Sequence, residues 1–152
     1  MSLSREDFLA VVRNAPLVSL DLVARDASGR VLLGLRKNEP ARGLWFVPGG
    51  CVRKGETLVQ AFARVSAGEL GRAMDLSAAR FLGVYEHFYA ENFANVPGLA
   101  THYVVLAHEV DGSNLPPLSP DDQHSAWRWA TPPELLSDPL VHENTKRYFR
   151  LS

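Results

Sequence analysis

The chain has 152 residues, a formal net charge of −1 and 46% hydrophobic residues, which suits one domain, 1–152, with a sizeable core. This balance excludes a disordered chain and a polyanion-binding surface, so we expect no nucleic-acid partner. No apolar run approaches the roughly 20 residues that span a membrane, the N-terminal segment lacks the apolar stretch of a signal peptide and Cys51 is the lone cysteine, so we expect a cytoplasmic protein.

Alternation of apolar and polar residues, together with turn residues, predicts short elements in the first half of the chain. In chain order these are a helix at 5–13, strands at 17–25 and 30–36 joined as a hairpin, a polar loop at 37–44, a short strand at 45–47 and a helix at about 57–70. Within the last helix, Leu58, Phe62, Val65 and Leu70 have the spacing of a core-facing stripe. Gly71 stands where a left-handed residue commonly ends a helix.

The second half is predicted to complete a sheet and add helices at the C-terminal end. Its elements are strands at 81–89 and 101–110, a loop rich in proline and aspartate at 111–125, a strand at 126–130, a helix starting at Thr131-Pro132, and a final helix at about 141–150 that would bury Tyr148 and Leu151. Helices at both ends of the chain around a mixed β-sheet predict an α/β fold, as a three-layer α/β/α sandwich.

A Gly-Gly loop leads into the central helix and carries charged residues at fixed offsets. The stretch from Gly49 to Gly71 reads GGCVRKGETLVQAFARVSAGELG. Its spacing resembles the Nudix box, G-x5-E-x7-R-E-U-x-E-E-x-G-U, where U is a bulky apolar residue. The matching residues are Gly50, Glu56, Arg64, Glu69 and Gly71. Val65 and Gly68 stand where the box has glutamates, and in ordinary members those carboxylates hold metal ions and activate water.

The chemistry of a diphosphate substrate explains why such residues belong together. A diphosphate needs a hard cation such as Mg²⁺, oxygen ligands and fixed positive groups. Glycines let the backbone approach the metal closely, and Glu69 offers a carboxylate near the helix end. The resemblance implies that Arg64 pairs with Glu56 and braces the loop on the helix. The alternative is a solvated helix face with an ordinary charge pair.

Segments outside the box are similar to one Nudix subfamily, the GDP-mannose mannosyl hydrolases. They are PLVSLD, LLG-x-R, WFVPGG, EHFY, THYVVL and DQH-x3-RW, and the similarity spans roughly residues 5–150. That subfamily also lacks the two box glutamates. The resemblance implies hydrolysis of GDP-mannose, or a related GDP-hexose, to GDP and free sugar by water attack at the anomeric carbon with inversion. It also implies Mg²⁺, with Mn²⁺ as the alternative, and a homodimer with the N-terminal segment at the interface.

The same resemblance assigns roles to individual residues. The metal ligands are the Gly49 carbonyl, Glu69 and Gln123. His124 in the predicted loop is the general base, because an unperturbed pKa of about 6.5 leaves imidazole neutral near physiological pH. Arg36 acts on the leaving diphosphate. Further substrate-binding candidates are Asp21, Arg64, His87 and Tyr103, although each of these, like Arg36, has an alternative reading as a solvated or core residue.

Cys51 departs from the subfamily, which has an arginine immediately after the Gly-Gly pair. We hypothesise that Arg53 supplies the missing cation, since residues 51 and 53 of an extended segment point to the same side. The alternatives are a packed Cys51 with a solvated Arg53, or a shifted substrate such as another GDP-hexose.

Three rival interpretations remain. One is a conventional Nudix pyrophosphohydrolase that attacks phosphorus of a nucleoside diphosphate derivative. Another is a non-catalytic module that binds nucleotide sugars. The third is a zinc site formed by His87, His102 and His124, although no close ligand spacing supports it. Three aromatic residues could stack on a base, and the sequence does not select among them: Phe8, Trp45 and Tyr89.

Overall fold

The structure is a computed structural model that describes residues 3–150. Within these residues a seven-stranded mixed sheet carries helices on both faces, which confirms the predicted α/β/α sandwich. The strands are β1 Leu17–Arg25, β2 Val31–Arg36, β3 Trp45–Phe46, β4 Gly49–Cys51, β5 Arg80–Tyr89, β6 Thr101–Asp111 and β7 His124–Ala130. The helices are α1 Arg5–Asn14, α2 Leu58–Leu70, α3 Pro132–Ser137 and α4 Glu143–Lys146, with 3₁₀ turns at Leu76–Ala78 and Arg147–Phe149.

The central strand β1 changes its antiparallel partner along its length. It runs parallel to β6 from Leu17 to Arg25. On its other side it pairs with β4 at Ser19–Asp21 and with β2 only at Arg25. The strand order is β3-β2-β1-β6-β5, and β7 pairs with β2. The exchange of partners from β2 to β4 takes place beside Asp21, and a large cavity opens at this point.

Two apolar clusters, one on each face of the sheet, form the core. Leu20 and Leu22 of β1 pack with Phe62 of α2. Val23 of the same strand packs with Leu135 of α3 on the opposite face. Successive side chains of a strand point to opposite faces, which explains this division. Burying each such side chain contributes about 1.5–3 kcal/mol, so the two clusters clamp β1 between the helical layers.

The C-terminal end of α2 follows the predicted signal, but its apolar stripe follows the prediction only in part. Thr57 and Gln60 form a capping box, and Gly71 ends the helix with φ of 74°. Val65, Phe62 and Leu70 are buried as predicted, whereas Leu58 is 43% exposed and that prediction is wrong. Leu58 is the first residue of the helix.

Two further boundaries differ from the sequence prediction. Strand β7 begins at His124 rather than at residue 126, because His124 is already the cross-strand partner of Arg36. The predicted helix at 141–150 is instead a single α-helical turn, α4, followed by a 3₁₀ turn that contains a half-buried Tyr148. His142 caps α4 by accepting the Asn144 N–H. Leu151 lies outside the described residues. Within residues 3–150, none of the helices combines the length and apolarity required to cross a bilayer.

Candidate active site

A cavity of about 940 Å³ opens where β1 exchanges partners. It is lined by every candidate catalytic, metal-binding and substrate-binding residue named from the sequence: Asp21, Arg36, Gly49, Arg53, Arg64, Glu69, His87, Tyr103, Gln123 and His124. Gly50 of the box also lines it, whereas Glu56 and Gly71 do not. Glu56 instead holds the loop before α2, and Gly71 ends that helix. The other candidates all line the same cavity.

The Glu56–Arg64 pair ties the loop before α2 to the helix, as the resemblance implied. Arg64 donates from Nε and Nη2 to the two carboxylate oxygens of Glu56 at 2.7 and 2.9 Å, and from Nη2 to the Cys51 carbonyl at 2.7 Å. Glu56 also accepts the Arg53 N–H at 2.7 Å. The bonds to Arg64 and Arg53 lower the pKa of Glu56 to about 2. Most of the charge of Arg64 is therefore matched within the protein.

Glu69, Asp121 and His124 form an acidic cluster around one imidazole. One ligand atom from each lies within 4.8 Å of the other two. Nδ1 of His124 is 3.3 Å from Oδ1 of Asp121 and 3.8 Å from Oε2 of Glu69. Burial, followed by the Asp121 charge, raises the pKa of Glu69 to about 7, although Arg36 opposes this shift. The cluster thus places one largely covered and one more exposed carboxylate beside a buried imidazole.

The ring of His124 is held from several sides and is only 2% exposed. Asp121 accepts its backbone N–H at 2.6 Å, and Trp127 packs on the ring with centroids 4.5 Å apart. A Cβ on Gly34 would lie 2.7 Å from His124 Cδ2, so only glycine leaves room for the ring. Burial lowers the pKa of His124 despite the opposing Asp121 charge. His124 is therefore a neutral, fixed imidazole rather than a solvated loop residue.

Asp121 is a site residue that the sequence analysis missed. Its Oδ1 accepts the backbone N–H of Gln123 at 2.8 Å and that of His124. These bonds form a turn that delivers the two neighbouring candidates to the cavity. The available signal was an aspartate three residues before His124, since aspartate commonly caps its own turn in this way.

Arg36 lines the cavity close enough to Asp21 and Glu69 to act on both charges. It ends β2 as the partner of His124 across a register shift. Its Nε donates to the Pro40 carbonyl at 3.0 Å, and its charge opposes the rise that burial causes in the pKa of Asp21 and Glu69. One guanidinium therefore acts on carboxylates that come from a strand, β1, and from a helix, α2.

Asp21 and Gly49 face each other across β1 and β4. They are register partners, and a Cβ on Gly49 would lie 2.4 Å from Asp21 Oδ1. Tyr148 donates a hydrogen bond to Asp21 Oδ2 at 2.5 Å. Enclosure of the carboxyl group by protein raises the pKa of Asp21 to about 7, although the Tyr148 bond and Arg36 oppose the shift. Tyr148 is a second residue near the site that the sequence did not reveal, because it was interpreted as core.

The remaining candidates differ in exposure. Gln123 and Arg53 are exposed at the rim, whereas His87 is only 4% exposed. Burial raises the pKa of the Cys51 thiol to about 11, so it stays protonated and is a poor nucleophile. Burial also raises the pKa of Tyr103, which lines the cavity as a neutral phenol.

The three-histidine zinc site does not form. His87 is the cross-strand partner of Tyr103, whereas His102 is the partner of Phe88 one residue further along, so the two imidazoles lie on opposite faces of the strand pair. His102 stacks on Phe88 with ring centroids 4.4 Å apart. Among residues 3–150, the His/Cys/Asp/Glu group with metal-binding spacing contains only one histidine. That interpretation of the sequence is wrong.

The donor groups that do assemble fit a hard divalent cation. Glu69 and Asp121 bring two carboxylates together, and the Gly49 carbonyl and the Gln123 amide line the same cavity. Such oxygen ligands suit Mg²⁺ and Mn²⁺. A cation would offset the crowding of negative charge that raises the pKa of Glu69.

Comparison with known proteins identifies the family. The sequence model of the NUDIX domain matches residues 15–151. The low-salt glycan biosynthesis protein Agl8 of Haloferax volcanii is 48% identical over 131 residues, which cover 84% of this chain and 79% of that protein.

Solved structures show the same fold. The MutT NUDIX hydrolase of Burkholderia pseudomallei has a TM-score of 0.69 and 28% identity, covering 90% of this chain and 97% of that one. The NUDIX domain of Shewanella oneidensis NrtR, solved with ADP ribose, has a TM-score of 0.63 and 22% identity, covering 96% of each chain.

Proposed function

This chain belongs to the Nudix family of hydrolases, and we propose that it hydrolyses GDP-mannose, or a closely related GDP-hexose, to GDP and free sugar. In this proposal water attacks the anomeric carbon with inversion. The observation that carries the proposal is the pairing of a single α2 carboxylate, Glu69, with a buried neutral imidazole, His124, at the same cavity. Such a site is suited to base catalysis away from phosphorus.

The two missing box glutamates support carbon–oxygen cleavage. Val65 is 3% exposed and belongs to the core cluster, so this position has no acidic role. Gly68 lines the cavity, and a Cβ added to it would meet no atom within 4 Å, so this position leaves open space beside Glu69. Without these two carboxylates, α2 is poorly equipped to activate water at phosphorus. The carboxylate that remains, Glu69, can still help to bind one cation.

His124 is the proposed general base. Nδ1 carries a proton that is directed at Asp121, so Nε2 has the free lone pair. Nε2 is therefore the atom that accepts a proton from the attacking water. Arg36 stabilises the charge that develops on the leaving diphosphate, a contribution of about 2–4 kcal/mol by analogy with other anion-stabilising donors. A divalent cation held by Glu69, Gln123 and the Gly49 carbonyl would neutralise further charge on the diphosphate.

The cavity also has an apolar end that suits a nucleobase. Phe8 of α1 packs on Phe93 with ring centroids 4.8 Å apart, and both line the cavity. The loop of Phe93 is held by Asn92, which is 1% exposed and makes four hydrogen bonds to neighbouring backbone groups. Of the three aromatic candidates we favour Phe8, because the Trp45 ring packs under Arg128 at 4.6 Å. Tyr89 also lines the cavity, but its ring is packed between Tyr103 and His142.

The similar proteins are compatible with this substrate class. Agl8 is named for glycan biosynthesis, a process that consumes activated sugars. The NrtR NUDIX domain was solved with ADP ribose, in which a diphosphate joins a nucleoside to a sugar. We further propose a homodimer and a Mg²⁺ requirement, as the resemblance implies.

Product identification tests the proposal. The protein is incubated with Mg²⁺ and, separately, GDP-mannose, GDP-glucose and GDP-fucose. GDP with free sugar supports the proposal. GMP with sugar phosphate identifies a conventional pyrophosphohydrolase, and thermal stabilisation by the ligand without turnover identifies a binding module. Either of the last two results contradicts the proposed reaction.

A further inference from the structure

Tyr148 connects two cavity-lining residues from behind. It lies in the C-terminal 3₁₀ turn, and its hydroxyl is 2.5 Å from Asp21 Oδ2 and 3.3 Å from His87 Nε2. Asp21 and His87 line the cavity, whereas Tyr148 is not part of its wall. The hydroxyl therefore touches two candidate substrate-binding residues without standing in the substrate's space.

Proton accounting gives this chain of hydrogen bonds a direction. A phenol has one proton to donate, and the Tyr148 hydroxyl donates it to Asp21 Oδ2 at 2.5 Å. The Tyr148 oxygen can then only accept from His87, which requires that Nε2 of His87 carries a proton. His87 is neutral, because burial and the nearby Arg147 charge lower its pKa to about 4. Its other nitrogen, Nδ1, is consequently an acceptor.

We propose that Tyr148 is a positioning residue that presents Asp21 Oδ1 and His87 Nδ1 as two fixed acceptors for the hydroxyl groups of a bound sugar. Asp21 Oδ1, the oxygen that Tyr148 does not contact, lies on the side of Gly49, and both Asp21 and His87 line the cavity. Identifying the ligand as the sugar portion rests on the proposed function. The direction of the hydrogen bonds does not, since it follows from the protein alone.

The packing around Tyr148 offers a matched control. Tyr85 lies edge-on to the Tyr148 ring with centroids 4.7 Å apart. Tyr85→Phe alters a hydroxyl in the same aromatic group without removing the partner of Asp21. Tyr148→Phe keeps the ring and removes only the hydroxyl that joins Asp21 to His87.

The first test is nitrogen NMR of His87 in the isotopically labelled full chain without ligand. We expect Nε2 to be protonated in the unmodified protein and in Tyr85→Phe, and a mixed population of the two tautomers in Tyr148→Phe. Nδ1 protonation in the unmodified protein overturns the proposal, and so does an unchanged tautomer in Tyr148→Phe. If the variant does not fold, the His87 tautomer measured in the unmodified protein alone tests the proposal.

The second test separates sugar recognition from nucleotide binding. Tyr148→Phe is expected to raise KM for GDP-mannose about tenfold, which corresponds to about 1.4 kcal/mol, and to leave the inhibition constant of GDP unchanged. The sugar assignment is overturned if GDP-mannose and GDP bind more weakly by the same factor, or if the binding of neither changes. If the products are GMP and sugar phosphate, the proposed function fails while the NMR result still decides the role of Tyr148.

Discussion

Nδ1 of His124 lies 3.3 Å from Oδ1 of Asp121, and the same oxygen accepts the backbone N–H of His124 at 2.6 Å. One carboxylate therefore fixes both the turn and the ring of the proposed base. A base held in this way needs no reorientation before it receives a proton.

Replacing Asp121 should weaken catalysis more than binding. We expect Asp121→Asn to lower kcat about tenfold, a part of the roughly 10²–10⁴-fold that a general base supplies, with little change in KM. Steady-state kinetics with GDP-mannose provide the measurement, and Asp122→Asn is the control at the exposed neighbouring position. Equal losses in the two variants would show that Asp121 has no special relation to His124.

Removing the imidazole should abolish most of the turnover. We expect His124→Gln to lower kcat by about 10²–10⁴-fold. In the unmodified protein kcat should rise with pH through one ionisation below the ordinary histidine value of about 6.5, because burial lowers the pKa of His124 and the base must be deprotonated. The variant should lose this rise, and a large change in KM with unaltered kcat would contradict the assignment.

Local spacing predicted the elements and the box well. The bounds of β1 and the left-handed Gly71 at the end of α2 depend on residues that are close in sequence, and both appear in the structure. The acidic and basic offsets likewise indicated the Glu56–Arg64 pair.

Contacts between distant segments could not be predicted in this way. Asp21 and Tyr148 are 127 positions apart, and their hydrogen bond exists only because β1 faces the C-terminal turn. The burial of His124 depends on the space that Gly34 leaves on β2. The spacing of residues within the loop around His124 cannot predict this contact with β2.

Arg53 is predicted to replace the arginine that is absent at Cys51. Its side chain lines the exposed rim of the cavity. If it contacts a phosphate oxygen, Arg53→Ala should lower kcat/KM about tenfold or more, as expected for a charge-assisted hydrogen bond of about 1.5–3 kcal/mol. Lys54→Ala is the neighbouring control, and an unchanged kcat/KM in Arg53→Ala would remove the idea.

The Glu56–Arg64 pair should make stability depend on pH. The pKa of Glu56 is about 2 in the folded protein and about 4.3 in an unfolded chain. Its stabilising contribution is therefore complete above the unfolded value and disappears as pH falls through the folded one. Denaturant unfolding should show Glu56→Gln to be less stable than the unmodified protein near neutral pH, with the difference shrinking towards pH 2. A constant difference at all pH values would contradict this account.

Isotope labelling tests the site of attack most directly. The reaction is run with GDP-mannose and Mg²⁺ in water enriched in heavy oxygen, and mass spectrometry locates the label in the products. Attack at the anomeric carbon predicts label in the released mannose and none in GDP. Label in a nucleotide or sugar phosphate product would show attack at phosphorus and contradict the central proposal.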